Sequence, residues 1–338
     1  MRDLTATLAS ACLPPSLQAS EPRIASISDG LSGAGVYRVD AGGRAFVLKV
    51  AQEQVAPARW HRTLTIWRDA ARAGLTPALV HVDEERRAVL TELVVDRAVA
   101  RLYRDPLTHE RIIADLGGAL RRVHALPFPA AADDDDPVAA PWALLGTTWR
   151  ALTTAGIAVP RFVERAAEEL LTESPPRPGD ALVLSHNDVH PKNLVHDGVG
   201  LYLMDWDAAG PNEPFYDLAT IALFLAMDGV SCRKLLSAYE TAGQVSTDSL
   251  SAESPLPARF LYDRRLIAAL CGAGFLQFGF HSGYTAGANA ARAQTLESAP
   301  TLGEVYKQIR AGSLSLATGE GRWAFGLALA RESAVPLM

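Results

Sequence analysis

The spacing of apolar residues changes along this chain, and the change divides it. In its first third they fall in short runs separated by glycine. Arg23–Ser28, Val36–Asp40 and Ala45–Ala51 read as three strands, with Ala41-Gly42-Gly43 a hairpin signal between the second and third. A helical stretch over Pro57–Ala73 stops at Gly74, a residue that tolerates the left-handed conformation in which helices end. Leu79–Asp83 and Ala88–Leu93 add two more strands, and the pattern breaks near Val94–Asp96. Beyond that point the period is helical. After Thr108, a predicted N-cap, Ile112, Leu116, Ala119, Leu120 and Val123 form one apolar stripe, and Pro127 ends it. Pro160–Leu171, Pro214–Met227, Ser231–Ala242, Pro257–Phe280 and Leu302–Leu316 are the further predicted helices. Two short apolar runs, Ala181–Leu184 and Leu201–Met204, interrupt them, each followed at once by polar residues. The expected fold class is α+β with two lobes: a small β-rich lobe with one helix over residues 1–95, and a larger, mainly helical lobe over 96–338.

Bulk composition narrows the possibilities. At 338 residues the chain exceeds the size at which one hydrophobic core usually stops growing, which also favours two lobes. It is 49% hydrophobic and 21% charged, a globular composition. The net charge of −6 argues against a nucleic-acid partner, which would need a basic face. Cys12, Cys232 and Cys271 are an odd, scattered set, so neither a disulfide framework nor a zinc site is indicated, and a reducing compartment fits. Leu8-Ala9-Ser10-Ala11-Cys12 lacks a preceding apolar segment, and no run approaches the length of a membrane span, so no membrane association is expected and the expected location is cytoplasmic.

The chemistry sits at the two strand-to-polar junctions. The first reads Ser185-His186-Asn187-Asp188-Val189-His190-Pro191-Lys192-Asn193 and the second Met204-Asp205-Trp206-Asp207. A carboxylate just after a buried strand, an amide five residues on and a carboxylate after the next strand can converge on one point. Phosphoryl transfer needs that convergence: a hydroxyl must be oriented and relieved of its proton, and the metal on the phosphates needs hard oxygen ligands. On this chemistry Asp188 is the base, and Asn193 and Asp205 are the Mg²⁺ ligands. Lys49 lies in the apolar run Phe46-Val47-Leu48-Lys49-Val50, where an ammonium is costly to bury without a phosphate or carboxylate partner.

Read together, His186, Asp188, Asn193 and Asp205 resemble, in type and spacing, the H-x-D-x-x-x-x-N loop and metal aspartate of the aminoglycoside phosphotransferase and choline kinase superfamily, a branch of the eukaryotic-like kinase fold. The segment Gly210-Pro211-Asn212-Glu213-Pro214-Phe215-Tyr216-Asp217-Leu218-Ala219 is similar to the family's G-x-x-x-P-x-x-D-L-A, in which the aspartate braces the catalytic loop. The resemblance implies a bilobal kinase-like fold whose small lobe binds ATP or GTP, with His186 and Asp217 in supporting roles. It gives Lys49 the address of the strand lysine that contacts the nucleotide phosphates. It puts a phosphate-binding loop at Asp29–Gly35, with Ser32, Gly33 and Gly35, and a nucleotide-base hinge near Glu92-Leu93-Val94.

The implied reaction moves the γ-phosphoryl group of ATP or GTP onto the hydroxyl of a small, cationic alcohol, an aminoglycoside or an amino alcohol such as choline or ethanolamine. The alternative is a non-catalytic nucleotide-binding protein or scaffold. A protein kinase is disfavoured, since nothing after Asp205 resembles D-F-G followed by A-P-E. Asp133–Asp136 and the aromatics Trp142, Trp149, Phe280, Tyr284 and Trp323 are candidates for cation recognition, weighed against a solvated loop and ordinary core. Asp207 is either a neighbour of the metal or a capping carboxylate, and Lys192 either meets the γ-phosphate or points to solvent. One departure stands out. The family's helix glutamate, partner of the strand lysine, should fall near Thr63; Asp69 is at the wrong distance and Glu53 too near Lys49.

Overall fold

The structure is a computed structural model that describes residues 8–27, 35–128, 140–176, 182–242, 255–284 and 288–337. Its small lobe is organised by the two-residue period of β3 (Arg44–Val50), which buries Phe46 and Leu48 on one face and turns Val47 and Lys49 to the other. This strand is central in an antiparallel sheet of order β1-β2-β3-β5-β4, with β1 at Arg23–Ser26, β2 at Gly35–Ala41, β4 at Leu79–Asp83 and β5 at Ala88–Glu92. Phe46 and Leu48 pack with Cys12, Leu13, Val39 and Leu90. On the opposite face Lys49 pairs with Val36 and Val89, and that face meets α1 (Pro57–Arg72) through Trp60, Leu64 and Trp67.

The rest is mainly helical: α2 (Val99–Arg104), α3 (His109–His124), α4 (Pro141–Thr154), α5 (Arg161–Thr172), α6 (Pro214–Phe224), α7 (Gly229–Thr241), α8 (Ala258–His281), α9 (Ala288–Ala293), α10 (Leu302–Arg310) and α11 (Gly319–Ala334). The long α8 packs against α4, α6 and α11, while α3 lies along α7. Two small ladders interrupt the helices: β6 (Val183–Ser185) pairs with β9 (Gly210–Asn212), and between them in sequence β7 (Leu194–His196) pairs with β8 (Leu201–Leu203). One hydrophobic core crosses both lobes, joining Trp60, Leu64 and Trp67 of α1 to Ile112, Leu116 and Leu120 of α3 and to Trp206. The Leu203 amide also donates to Leu75 O at 2.7 Å. Among the described residues, no helix is long and apolar enough to cross a membrane.

Several elements depart from the sequence reading. The helix expected to run to Leu316 ends at Arg310, because Gly312 takes φ +71° and turns the chain out of the helix. Thr108 does not cap α3 with its side chain; its Oγ1 donates instead to Leu102 O at 2.6 Å. Helices α4 and α11, and the edge pairing of β9 through Pro211, were not anticipated.

Candidate active site

The β7–β8 hairpin sets the geometry. Its ladder continues one step past the Leu194–Leu203 pair, where the Met204 amide donates to Asn193 O at 2.8 Å, so Asn193 and Asp205 emerge from one neck on opposite strands. Asp205 adopts a left-handed backbone, φ +65° and ψ +71°, which turns the chain into the short helical turn Trp206–Ala208. Trp206, fully buried, packs on the His186 ring at 4.7 Å.

Asp188 is held by its loop-mate. Asn193 Nδ2 donates to the Asp188 carbonyl at 3.0 Å and to Asp188 Oδ2 at 2.8 Å, leaving Oδ1 turned toward His190 Nε2 at 3.5 Å. The Asp188 side chain is 45% exposed, so its carboxylate opens on solvent. Burial lowers the pKa of His190, against the pull of Asp188. Since His190 Nδ1 accepts the Lys192 amide at 3.2 Å, the neutral ring carries its hydrogen on Nε2, on the Asp188 side.

Beneath the loop lies Asp217, fully buried. Its carboxylate accepts the amides of His186 at 2.7 Å and Asn187 at 2.9 Å, and meets His124 Nε2 at 3.1 Å. Burial alone would push this acid up, yet His124 and the His186 amide hold it below the usual carboxylate range. Tyr239 OH closes the chain on His124 Nδ1 at 2.9 Å. Asn187, at φ +63°, donates to Ala208 O at 3.0 Å and accepts Asn212 Nδ2 at 2.8 Å, tying the loop to β9. Burial also lowers the pKa of His186; its Nε2 donates to Met204 O at 2.9 Å, so the bare Nδ1 is enclosed without a partner.

Opposite this floor the small lobe contributes Lys49. Its ammonium contacts Asp205 Oδ1 at 2.6 Å and Asp207 Oδ2 at 2.7 Å, and lies 5.8 Å from the Trp67 ring. Burial would raise Asp205, but the Lys49 charge outweighs it and keeps the carboxyl below its ordinary value. Lys49, Asp188, Asn193, Asp205, Asp207, His186 and Asp217 therefore form one cluster.

The other expected positions are spread around it. Gly35 opens β2 opposite Val50, and a Cβ there would meet the Tyr37 ring at 2.9 Å. Glu92 ends β5, with its carboxylate paired to Arg44, and Val94 lies in the connection to α2. Lys192 is exposed. Ser32, Gly33 and Asp133–Asp136 lie outside the described residues. Of the aromatics, Trp323 stacks on Tyr284 at 4.9 Å in a core that Trp149 adjoins, whereas Trp142 and Trp149 line a surface cavity of about 520 Å³ with Arg150 and Leu171. The sequence reading left His190 out of the site and took His124 as a helix-face residue, structural rather than catalytic; here it bonds to Asp217 beneath the loop. His190 sits inside the loop string, where proximity to Asp188 was the available signal; the contact of His124 with Asp217, 93 residues away in sequence, had none.

The donors suit a hard divalent cation. Asn193 Nδ2 donates twice to Asp188, which leaves Asn193 Oδ1 without a hydrogen-bond donor among the described residues, and Asp205 Oδ2 is likewise free of Lys49. One amide and one carboxylate are too few to enclose an ion alone, and the described residues hold no cluster of three His, Cys, Asp or Glu that could do so. Oxygens from a bound phosphate chain would complete such a shell.

A five-stranded antiparallel sheet packed on α1, set over a larger helical lobe and bearing a lysine against a loop-borne Asp/Asn/Asp set, defines a kinase-like phosphotransferase. The phosphotransferase enzyme family matches residues 23–252, and the chain belongs to that family; its activity is phosphoryl transfer to a hydroxyl group. A choline/ethanolamine kinase family protein from Mesorhizobium loti shares the fold at 18% identity and a TM-score of 0.59, over 98% of either chain. An aminoglycoside-3′-phosphotransferase of type VIII is 21% identical, with a TM-score of 0.51 over 80% of this chain and 98% of its own. A macrolide 2′-phosphotransferase from Brachybacterium faecium is 19% identical, with a TM-score of 0.52 over 87% of this chain and 97% of its own. No curated protein matches in sequence.

Proposed function

We propose that this protein is a Mg²⁺-dependent kinase that transfers the γ-phosphoryl group of ATP, or of GTP, to the hydroxyl of a small cationic alcohol. The observation that carries this reading is the convergence of Asp188, Asn193 and Asp205 at one hairpin neck, facing the Lys49 ammonium 2.6 Å from Asp205. Lys49 and the backbone at Gly35 bind the nucleotide phosphates, with the base against the backbone near Glu92 and Val94. Asp188 takes the acceptor's hydroxyl proton on Oδ1, the oxygen not engaged by Asn193. As that proton leaves, the acceptor oxygen bonds to the γ-phosphorus, the bond from phosphorus to the bridging oxygen breaks, and a nucleoside diphosphate departs. Held by Asn193 Oδ1 and Asp205, the divalent ion would offset the charge on the phosphates. Asp217 and His186 keep the loop in place and touch neither reactant.

The preference for a cationic acceptor rests on the relatives, whose names include kinases of choline and ethanolamine and phosphotransferases of aminoglycosides and macrolides. These compounds carry a hydroxyl and an amine or quaternary ammonium in one molecule, and the Asp188 carboxylate, which opens on solvent, attracts such a charge. The test is a phosphorylation screen of aminoglycosides, macrolides, choline and ethanolamine with Mg²⁺ and either ATP or GTP. Turnover with at least one acceptor is expected, and Asp188→Asn should reduce kcat on the order of a thousandfold with an unchanged melting temperature. Stabilisation by nucleotide without transfer to any acceptor would favour a non-catalytic nucleotide-binding protein.

A further inference from the structure

Lys49 presents an unsolved problem of charge. Its side chain is 12% exposed, and such an ammonium needs a fixed anionic partner. The small lobe supplies none among its described residues. On α1 the Trp67 ring lies 5.8 Å from the Lys49 ammonium; one turn earlier stands Thr63, also buried, and the helix's single acid, Asp69, pairs with Arg72 at 2.5 Å. Glu53, ahead of the helix, is exposed. The carboxylates on Lys49 both come from across the cleft: Asp205 at 2.6 Å and Asp207 at 2.7 Å.

These two acids are not equivalent. Asp205 is also a ligand in the Asn/Asp set for the divalent ion, so when the site is loaded its charge is shared. Asp207 has no such second claim. It is fixed by the turn that carries it: Trp206 between the two acids is fully buried against His186, and the Asp207 carbonyl accepts Arg59 Nη2 of α1 at 3.3 Å. With Trp206 anchored inward, its neighbours on either side both reach Lys49.

We propose that Asp207 is the positioning residue for Lys49: it holds the ammonium in the cleft when Asp205 is engaged with the metal and nucleotide, in place of the acid that α1 lacks. This rests on the reading of the site as a nucleotide-dependent phosphotransferase.

The experiment measures nucleotide affinity by calorimetry at saturating Mg²⁺, together with kcat, the KM values for nucleotide and acceptor, and the Mg²⁺ half-saturation. The proteins are wild type, Asp207→Asn, Asp207→Glu, Thr63→Glu and the double variant Thr63→Glu/Asp207→Asn. Asp207 is 46% exposed, so its substitutions should fold, and melting curves verify this. In Asp207→Asn, nucleotide affinity and nucleotide KM are expected to worsen about tenfold, with acceptor KM and Mg²⁺ half-saturation within about twofold. Asp207→Glu should retain most of the affinity, and Thr63→Glu should restore part of it in the Asp207→Asn background. Unchanged nucleotide affinity in Asp207→Asn would overturn the proposal. So would a weakened Mg²⁺ response with nucleotide affinity intact, which would make Asp207 a metal ligand, or failure of both Asp207→Glu and the double variant to recover binding. A wild-type protein that binds no nucleotide overturns the functional reading as well, whereas binding that ignores Asp207 overturns this inference alone.

Discussion

In the proposed reaction, Asp217 acts without touching a reactant. Three donors converge on a fully buried carboxylate, two of them the backbone amides that open the catalytic loop. Charge-assisted bonds of this kind are about twice as strong as neutral ones, and each contributes about 1.5–3 kcal/mol. Asp217→Asn keeps the shape, removes the charge and turns a donor toward donors. It is expected to lower unfolding stability by about 3 kcal/mol, measured by urea denaturation, and to lower kcat more than either KM, because the Asp188 loop loses its anchor. Stability and kcat both equal to wild type would contradict the bracing role. How much of this was legible beforehand follows from distance along the chain. Asp188 and Asn193 share one loop and Asp205 follows the hairpin directly after it, so local spacing predicted that the three would lie near one another. Asp217 came through resemblance to a longer motif. His124 joins it from α3, and Tyr239 from α7, contacts that nothing in the local pattern announces. The partner of Lys49 was legible as a missing glutamate but not as Asp207, since a turn's direction depends on which neighbour is buried, here Trp206.

Helix α11 shows what the pattern of apolar residues conceals. Amphipathic α3 and α5 were plain from sequence because one face is wet. Helix α11 was not, since its glycines argue against a helix and most of its length is buried. Those glycines are there for contact: a Cβ on Gly272 of α8 would meet Ala330 N at 2.9 Å and Gly326 O at 3.1 Å, both backbone atoms of α11. Intrinsic propensity favours alanine over glycine in a helix by about 1 kcal/mol, but overpacking against backbone costs about 1–3 kcal/mol. Gly272→Ala should therefore destabilise the protein. Gly274, two residues along the same helix, has nothing within 4 Å of its added Cβ, and Gly274→Ala should stabilise by up to about 1 kcal/mol. Opposite signs in paired thermal melts would confirm that α8 and α11 touch through backbone; equal signs would place the contact elsewhere. The β9 strand was hidden for a similar reason. Gly210-Pro211-Asn212 reads as a turn, and a proline enters a ladder on an edge, where β9 lies.

One core running from α1 through α3 to Trp206 ties the lobes together, so the chain should unfold in a single transition, and any buried titrating group will register in the stability of the whole. Asp263 of α8 is the group to watch. Burial pushes its carboxyl up to about 7, outweighing Arg259 at 3.2 Å, and nearby Glu213 adds to the rise. In the unfolded chain an aspartate ionises near 3.9. Between these values the native state holds a proton that the unfolded state has lost. The stability Asp263 contributes is therefore fully present below about pH 4 and declines as pH rises toward 7, at up to about 1.4 kcal/mol per pH unit. Other buried groups act in the opposite sense. His186 and His190 have lowered pKa values, so their share grows as pH rises through the ordinary histidine range and is lost in acid. The bare pH profile mixes the two; subtraction separates them. Asp263→Asn removes the titration while keeping the volume. Wild type minus Asp263→Asn, followed by urea unfolding from pH 5 to 8, should fall steadily and level off above pH 7. A difference independent of pH would mean that Asp263 is ionised in the fold throughout, held by Arg259 as an ordinary buried ion pair.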